Sequence, residues 1–332
     1  MNKGSMKRGV KALVAVSLGV AMVVGALAMP ETADAVKKKA AKKPVKKVVA
    51  PAKKIYNNVA TATLIKALAT GSKDSASVVS AQIAANADPN VKDAVGRTAL
   101  TWAAKNGDPG SVKALIAAKA VVNVTDAEKK TPLMWAVMSG RADNVKALLA
   151  AKADVKPVDA NGDTVLLMAA NRTYGNWSSD AEEILKVLIS SGAVVNLTDK
   201  QGRTPLHYAA VGGSPKAVQI LVDAKADVSK VVPETGETAL MAACQVADNA
   251  DYAQVVTILG KAGTNINAKD LKGNTALILA SGKGMPYIVK AVLALKPDVN
   301  VKNLKGESAL EKAYQVSNLV VIPMLQSAGA QR

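Results

Sequence analysis

Thr204-Pro205-Leu206-His207-Tyr208-Ala209-Ala210 is the stretch that decides the fold, because the chain writes it repeatedly. Upstream stand Thr98-Ala99-Leu100-Thr101-Trp102-Ala103-Ala104, Thr131-Pro132-Leu133-Met134-Trp135-Ala136 and Thr164-Val165-Leu166-Leu167-Met168-Ala169-Ala170. Downstream come Thr238-Ala239-Leu240-Met241-Ala242-Ala243, Thr275-Ala276-Leu277-Ile278-Leu279-Ala280 and a worn Ser308-Ala309-Leu310. Internal copies about 33 residues apart, with a Thr-Pro-Leu-His core, are the mark of a stacked helical repeat array.

Outward from each Thr, the copies share one physical plan. An Asp or Asn opens a turn (Asp93, Asp126, Asp159, Asp199, Asp270, Asn303), where its short side chain bonds nearby backbone. A Gly usually follows and tolerates φ > 0. The Thr suits an N-cap, and Pro132 and Pro205 stand where a helix does not need the missing N–H. The first helix is short and Ala-rich, so neighbouring units can approach closely, and it ends near Gly107, Gly140 or Gly213. A second helix carries apolar residues at i and i+3/i+4, as in Val112-Leu115-Ile116 and Val289-Val292-Leu293. The unit closes on a turn Asn (Asn123, Asn196, Asn267, Asn300).

This pattern resembles the ankyrin repeat family over roughly residues 56–332. The resemblance implies an all-α ankyrin-repeat solenoid of about seven or eight helix-turn-helix units with β-turn tips, whose concave face binds other proteins. It also implies that His207 makes a structural hydrogen bond between adjacent turns. One departure stands out: the family's Gly after the second helix is Lys119, Lys152, Lys225 and Lys296 here, with Gly192 and Gly263 keeping the pattern. If the left-handed geometry persists, each Lys costs about 1 kcal/mol relative to Gly; otherwise the helix ends differently there.

Composition agrees with thin helical layers. No Phe is present, and the core must come from small aliphatic side chains. One Cys and one His leave no disulfide framework and no His-based metal cluster. Residues 1–54 hold 13 of the 43 Lys/Arg and two of the 26 acids, so most of the +17 net charge precedes the array. The array itself is mildly basic and does not point to nucleic acid.

Residues 1–35 read as a signal peptide: Lys3, Lys7, Arg8 and Lys11, then an apolar run over 12–29, then small-x-small sites ending at Ala28 and Ala35. Export to the periplasm is expected. The rival reading keeps 12–29 as an inner-membrane anchor, since the run reaches the lower edge of spanning length. Residues 36–54 form a Lys/Ala/Pro-rich linker, expected to be disordered and extended by self-repulsion. It reads as a tether or, alternatively, as an arm (Lys37 to Lys54) for an anionic lipid, envelope polymer or nucleic acid.

The array is expected over 55–332, with 56–92 an N-terminal cap repeat and 303–332 a C-terminal one in which Pro323 breaks the Leu319–Ile322 run. One long unit carries an insertion with Tyr174 and Trp177, and Ser179 with Glu182 reads as a capping box. Another carries a smaller insertion near 247–252. Trp102, Trp135, Met168 and Tyr208 occupy equivalent positions and are expected to stack as a core ladder.

No phosphate loop, paired-carboxylate pattern or metal motif is present, so no catalysis and no cofactor are expected. Cys244 reads as a buried, inert thiol. What remains is a surface. In ankyrin-like arrays the turn tips and first-helix ends line the concave side, which gives Arg97, Lys130, Asp163, Arg203 and Asn274 at tips, and Lys105, Asn106, Met138, Ser139 and Arg172 at helix ends. Tyr174 and Trp177 join them as aromatic hot-spot candidates. The N-terminal half of the strip leans basic, favouring an acidic or mixed-charge protein partner, and the chain is expected to act as a monomer.

Overall fold

A computed structural model describes residues 56–71, 75–171 and 179–331. The signal segment, the linker, and Arg172, Tyr174 and Trp177 lie outside the described residues, as does the Ser179 side chain. Sixteen helices follow one another among the described residues: α1 (Asn58–Thr70), α2 (Ser75–Ala84), α3 (Ala99–Asn106), α4 (Pro109–Ala117), α5 (Pro132–Met138), α6 (Ala142–Ala150), α7 (Val165–Asn171), α8 (Ser179–Ser190), α9 (Pro205–Val211), α10 (Pro215–Asp223), α11 (Ala239–Ala243), α12 (Ala250–Lys261), α13 (Ala276–Gly282), α14 (Pro286–Ala294), α15 (Ala309–Gln315) and α16 (Val321–Ser327). Each odd-numbered helix packs on the even one that follows it. Odd helices also pack on the next odd helix and even on the next even, giving two parallel layers. None of these helices is long and apolar enough to cross a membrane.

The recurring Thr starts each first helix. Thr98, Thr131, Thr204, Thr238 and Thr275 are extended N-caps whose hydroxyls accept from the backbone N–H three residues on, and Ser308 does the same for α15. Leu100, Leu133, Leu166, Leu206, Leu240, Leu277 and Leu310 each stand second in their helix, and all are at most 2% exposed. Burying one such side chain is worth about 1.5–3 kcal/mol, so this column is the spine of the array. The alanines beside it leave room for the neighbouring layer.

Second helices do end left-handed. Lys119, Lys152, Lys225 and Lys296 have φ of 68°, 62°, 65° and 56°, beside Gly192 at 88° and Gly263 at 91°. The first turn of α16 contains Pro323 rather than being broken by it. The expectation of a break fails because the first four N–H groups of a helix have no intrahelical acceptor to lose.

Units are joined by hydrogen bonds about one repeat apart. The closing Asn accepts a backbone N–H from the next unit: Val121 to Asn90, Asp154 to Asn123, Asp227 to Asn196, Asp298 to Asn267 and Gln331 to Asn300, at 2.7–2.9 Å. At the equivalent places before the two long units stand Lys156, whose ammonium offers no acceptor, and Ser229, whose short hydroxyl donates to Asp227 instead. Tips join through backbone as well, Ala127 N–H to Val95, Ala160 to Glu128, Leu271 to Thr235 and Leu304 to Lys272. The approach is tight: a Cβ on Gly273 (φ 77°) would meet Leu304 N at 2.8 Å.

A third set of bonds closes the first helices. Buried Asn144 on α6 donates to the carbonyls of Ala103, Ala104 and Gly107 at the end of α3. Tyr252 donates its hydroxyl to Val211 at 2.6 Å, and Asn318 Nδ2 donates to Gly284. Asp248, in the smaller insertion, accepts from Ile288 N–H.

Candidate interaction surface

The turn-opening carboxylates organise the strip. Asp93 Oδ1 accepts from the N–H groups of Val95 and Arg97, while its Oδ2 accepts from Arg97 Nε (3.0 Å) and the Trp102 indole (3.1 Å). Burial pushes this carboxyl up, but those hydrogen bonds together hold it below the usual range. Asp126 binds Trp135 Nε1 at 2.8 Å, and Asp199 binds the Tyr208 hydroxyl at 2.7 Å and Arg203 Nε at 2.8 Å. The ring ladder therefore runs along the tips. The core ladder expected from the sequence holds in part: Met168 lies in the core and Trp102 and Tyr208 pack against it, while Trp102, Trp135 and Tyr208 stay half-buried. Each ring carries a polar hydrogen that a buried layer could not satisfy, and the carboxylate nine residues back supplies the acceptor.

Met168 interrupts the ladder, having no donor to offer Asp159. Asp159 Oδ2 takes no hydrogen bond and faces Lys130 Nζ at 3.4 Å from the preceding tip. Lys130 is 6% exposed and also ion-pairs with Glu128. Burial pulls its ammonium down, but Glu128 and Asp159 outweigh that and raise it. The expectation of Lys130 as an open partner contact is thus corrected: the ammonium takes the place of a missing ring donor.

Among the described residues, Arg97, Lys105 and Arg203 are engaged by rings. The Arg97 guanidinium lies 4.0 Å from the Trp102 ring centre, and Lys105 lies 4.7 Å from that of Trp135 and 5.5 Å from that of Trp102. Arg203 stacks on Tyr208 at 4.7 Å and also reaches Gln201. Asn106 is tied down, its amide donating to the carbonyls of Leu68 and Ala69 at the end of α1. Three of the cations behind the basic lean read from the sequence, Arg97, Lys130 and Arg203, are thus ion-paired within the array.

Met138, 38% exposed, lines a depression with Asp163, Met168, Asn171 and Lys130, and half-buried Ser139 follows it. Burial first, then the carboxylates of Asp159 and Asp199, raise the Asp163 carboxyl above its ordinary value. A second depression, further along the same tips, holds Asn274 with Lys272, Lys283, Lys305 and Glu307. Asn274 donates to Asp270 Oδ2 and accepts from Asn303. These three lysines went unread in the sequence, although the offset that picks Asn106 and Ser139 also picks Lys283.

His207 is buried. Thr204 N–H and hydroxyl contact its Nδ1, and its Nε2 lies 3.3 Å from the Glu237 carbonyl in the next tip. That is the inter-turn bond the resemblance implied, and it fits a neutral ring with the proton on Nε2. Cys244 is fully buried, with its thiol pushed up to about 12 by burial.

Two layers of paired helices, repeated along the chain with turn tips on one edge, define a stacked repeat protein. The chain belongs to the ankyrin repeat family: the family model described as ankyrin repeats (3 copies) matches residues 64–159, 145–231 and 167–270. The human ASB11 ankyrin repeat domain is similar at 24% identity and a TM-score of 0.59, with 70% of this chain and 98% of that one covered. The ankyrin repeat domain of Bcl-3, a member of the IkappaB protein family, is similar at 26% identity and a TM-score of 0.58, with 70% and 99% covered. Ankyrin repeats are in general protein–protein interaction scaffolds.

Proposed function

We propose that the array is a non-enzymatic scaffold that binds a partner protein along the strip of tips and first-helix ends, as the concave face of an exported chain tethered by residues 36–54. The observation that carries this reading is that two depressions fall on that strip, one around Met138 and Asp163 and one around Asn274. Both are floored by side chains fixed on packed helices, so little ordering cost falls on the array when a partner binds. The test is affinity capture from the native cell envelope with the full chain, beside Met138→Glu and Asp163→Arg. Capture that survives deletion of 36–54 and changes with the strip substitutions supports the scaffold. Capture that disappears with the linker and ignores the strip would sink it. N-terminal sequencing of the protein from its own cell checks export.

A further inference from the structure

In three early tips the residue after the turn-opening Asp is small: Ala94, Ala127 and Ala160. In the last two it is leucine, Leu271 being 62% exposed and Leu304 79% exposed. These two tips are joined, since Leu304 N–H donates to the Lys272 carbonyl at 3.0 Å. Each leucine is followed by a lysine, and both lysines, Lys272 and Lys305, line with Lys283 one depression floored by Ile278 and Leu279. All three ammonium groups are on exposed residues. The carboxylates at hand are engaged elsewhere: Glu307 with Lys312, Asn303 and Gln315, and Glu311 with Lys302. Among the described residues, Lys272, Lys283 and Lys305 thus gather at this end without an ion pair, whereas Arg97, Lys130 and Arg203 are ion-paired.

Resting on the scaffold reading, we propose that the tips bearing Leu271 and Leu304 dock an extended segment of a partner protein in which carboxylates alternate with aliphatic residues. Alternation places successive side chains on opposite faces of a strand. One face covers the two leucines and the other offers carboxylates to Lys272, Lys283 and Lys305. A nucleic acid fits less well, because single strands need aromatic or guanidinium planes to stack on, and the residues lining this depression include neither.

The test uses the full chain and a fluorescein-labelled peptide of alternating Glu and Leu, read by anisotropy, beside the same peptide with every Leu replaced by Ser. The basic residues 36–54 meet both peptides with the same charge, so the difference between them reports the docking site. The Leu peptide should bind at least about tenfold tighter (an order-of-magnitude expectation for partial burial of two aliphatic side chains). The Leu271→Ala/Leu304→Ala chain should lose that difference, and Lys272→Glu/Lys305→Glu should lose it and repel both. All four side chains are exposed, and unchanged circular dichroism confirms that the fold persists. Equal binding of the two peptides overturns the inference, as does indifference to the leucine substitutions. So does variant-sensitive binding of a single-stranded oligonucleotide or of phosphatidylglycerol vesicles that exceeds that of the peptide. Should the captured partner tolerate all four substitutions yet be lost with Asp163→Arg, the docking inference fails and the scaffold reading stands. Capture of no partner at all removes both.

Discussion

Single residues carry more of this array's electrostatics than its charge count suggests. The Asp-to-ring bond is a charge-assisted hydrogen bond in a half-buried site, so Trp135→Phe should cost about 2 kcal/mol in urea denaturation through the donor lost to Asp126. The left-handed lysines offer the opposite case. Lys152→Gly relieves a penalty of about 1–2 kcal/mol and gives back about 0.4–1 through a freer unfolded chain, leaving a net gain between roughly 0 and 1.6 kcal/mol. A thermal melt that moves down rather than up would contradict that sum.

Between helices, polar side chains decide how one unit holds the next. Asn144 donates to three carbonyls at the end of α3, of which Ala103 also accepts from Gly107 N–H, so Asn144→Ala should cost about 1–3 kcal/mol by removing their buried side-chain donor. His207 adds a pH dependence. Burial lowers its folded pKa below the ordinary 6.5. Above about pH 6.5 neither the folded nor the unfolded chain holds the extra proton; below it the unfolded chain takes one up first. Stability should therefore fall as pH drops from about 6.5 to the folded pKa, and His207→Gln should flatten that slope in denaturation curves taken at a series of pH values. The helices themselves were legible because the Thr cap, the Leu after it and the apolar second-helix spacing are local signals. The role of Asn106 and the burial of Lys130 were not, since both depend on groups 29 or more residues away that no local window contains. The ring ladder was half legible: its period was visible, its acceptor was not.

At the scale of the whole array, stability is close to a sum of unit and junction terms. The junctions at Lys156 and Ser229 lack the closing Asn, so amide exchange should show earlier opening there than at Asn123 or Asn300. Installing Lys156→Asn with Ser229→Asn should sharpen the equilibrium transition, measured as a larger urea m-value. Those closing bonds have a genetic corollary. Every one of them reaches only the adjoining copy, so duplication or loss of a whole copy leaves the remaining seams chemically intact. Such an event would shift the Leu271–Leu304 dock relative to the Met138–Asp163 hollow by one layer thickness, tuning the footprint on a client without redesigning either contact.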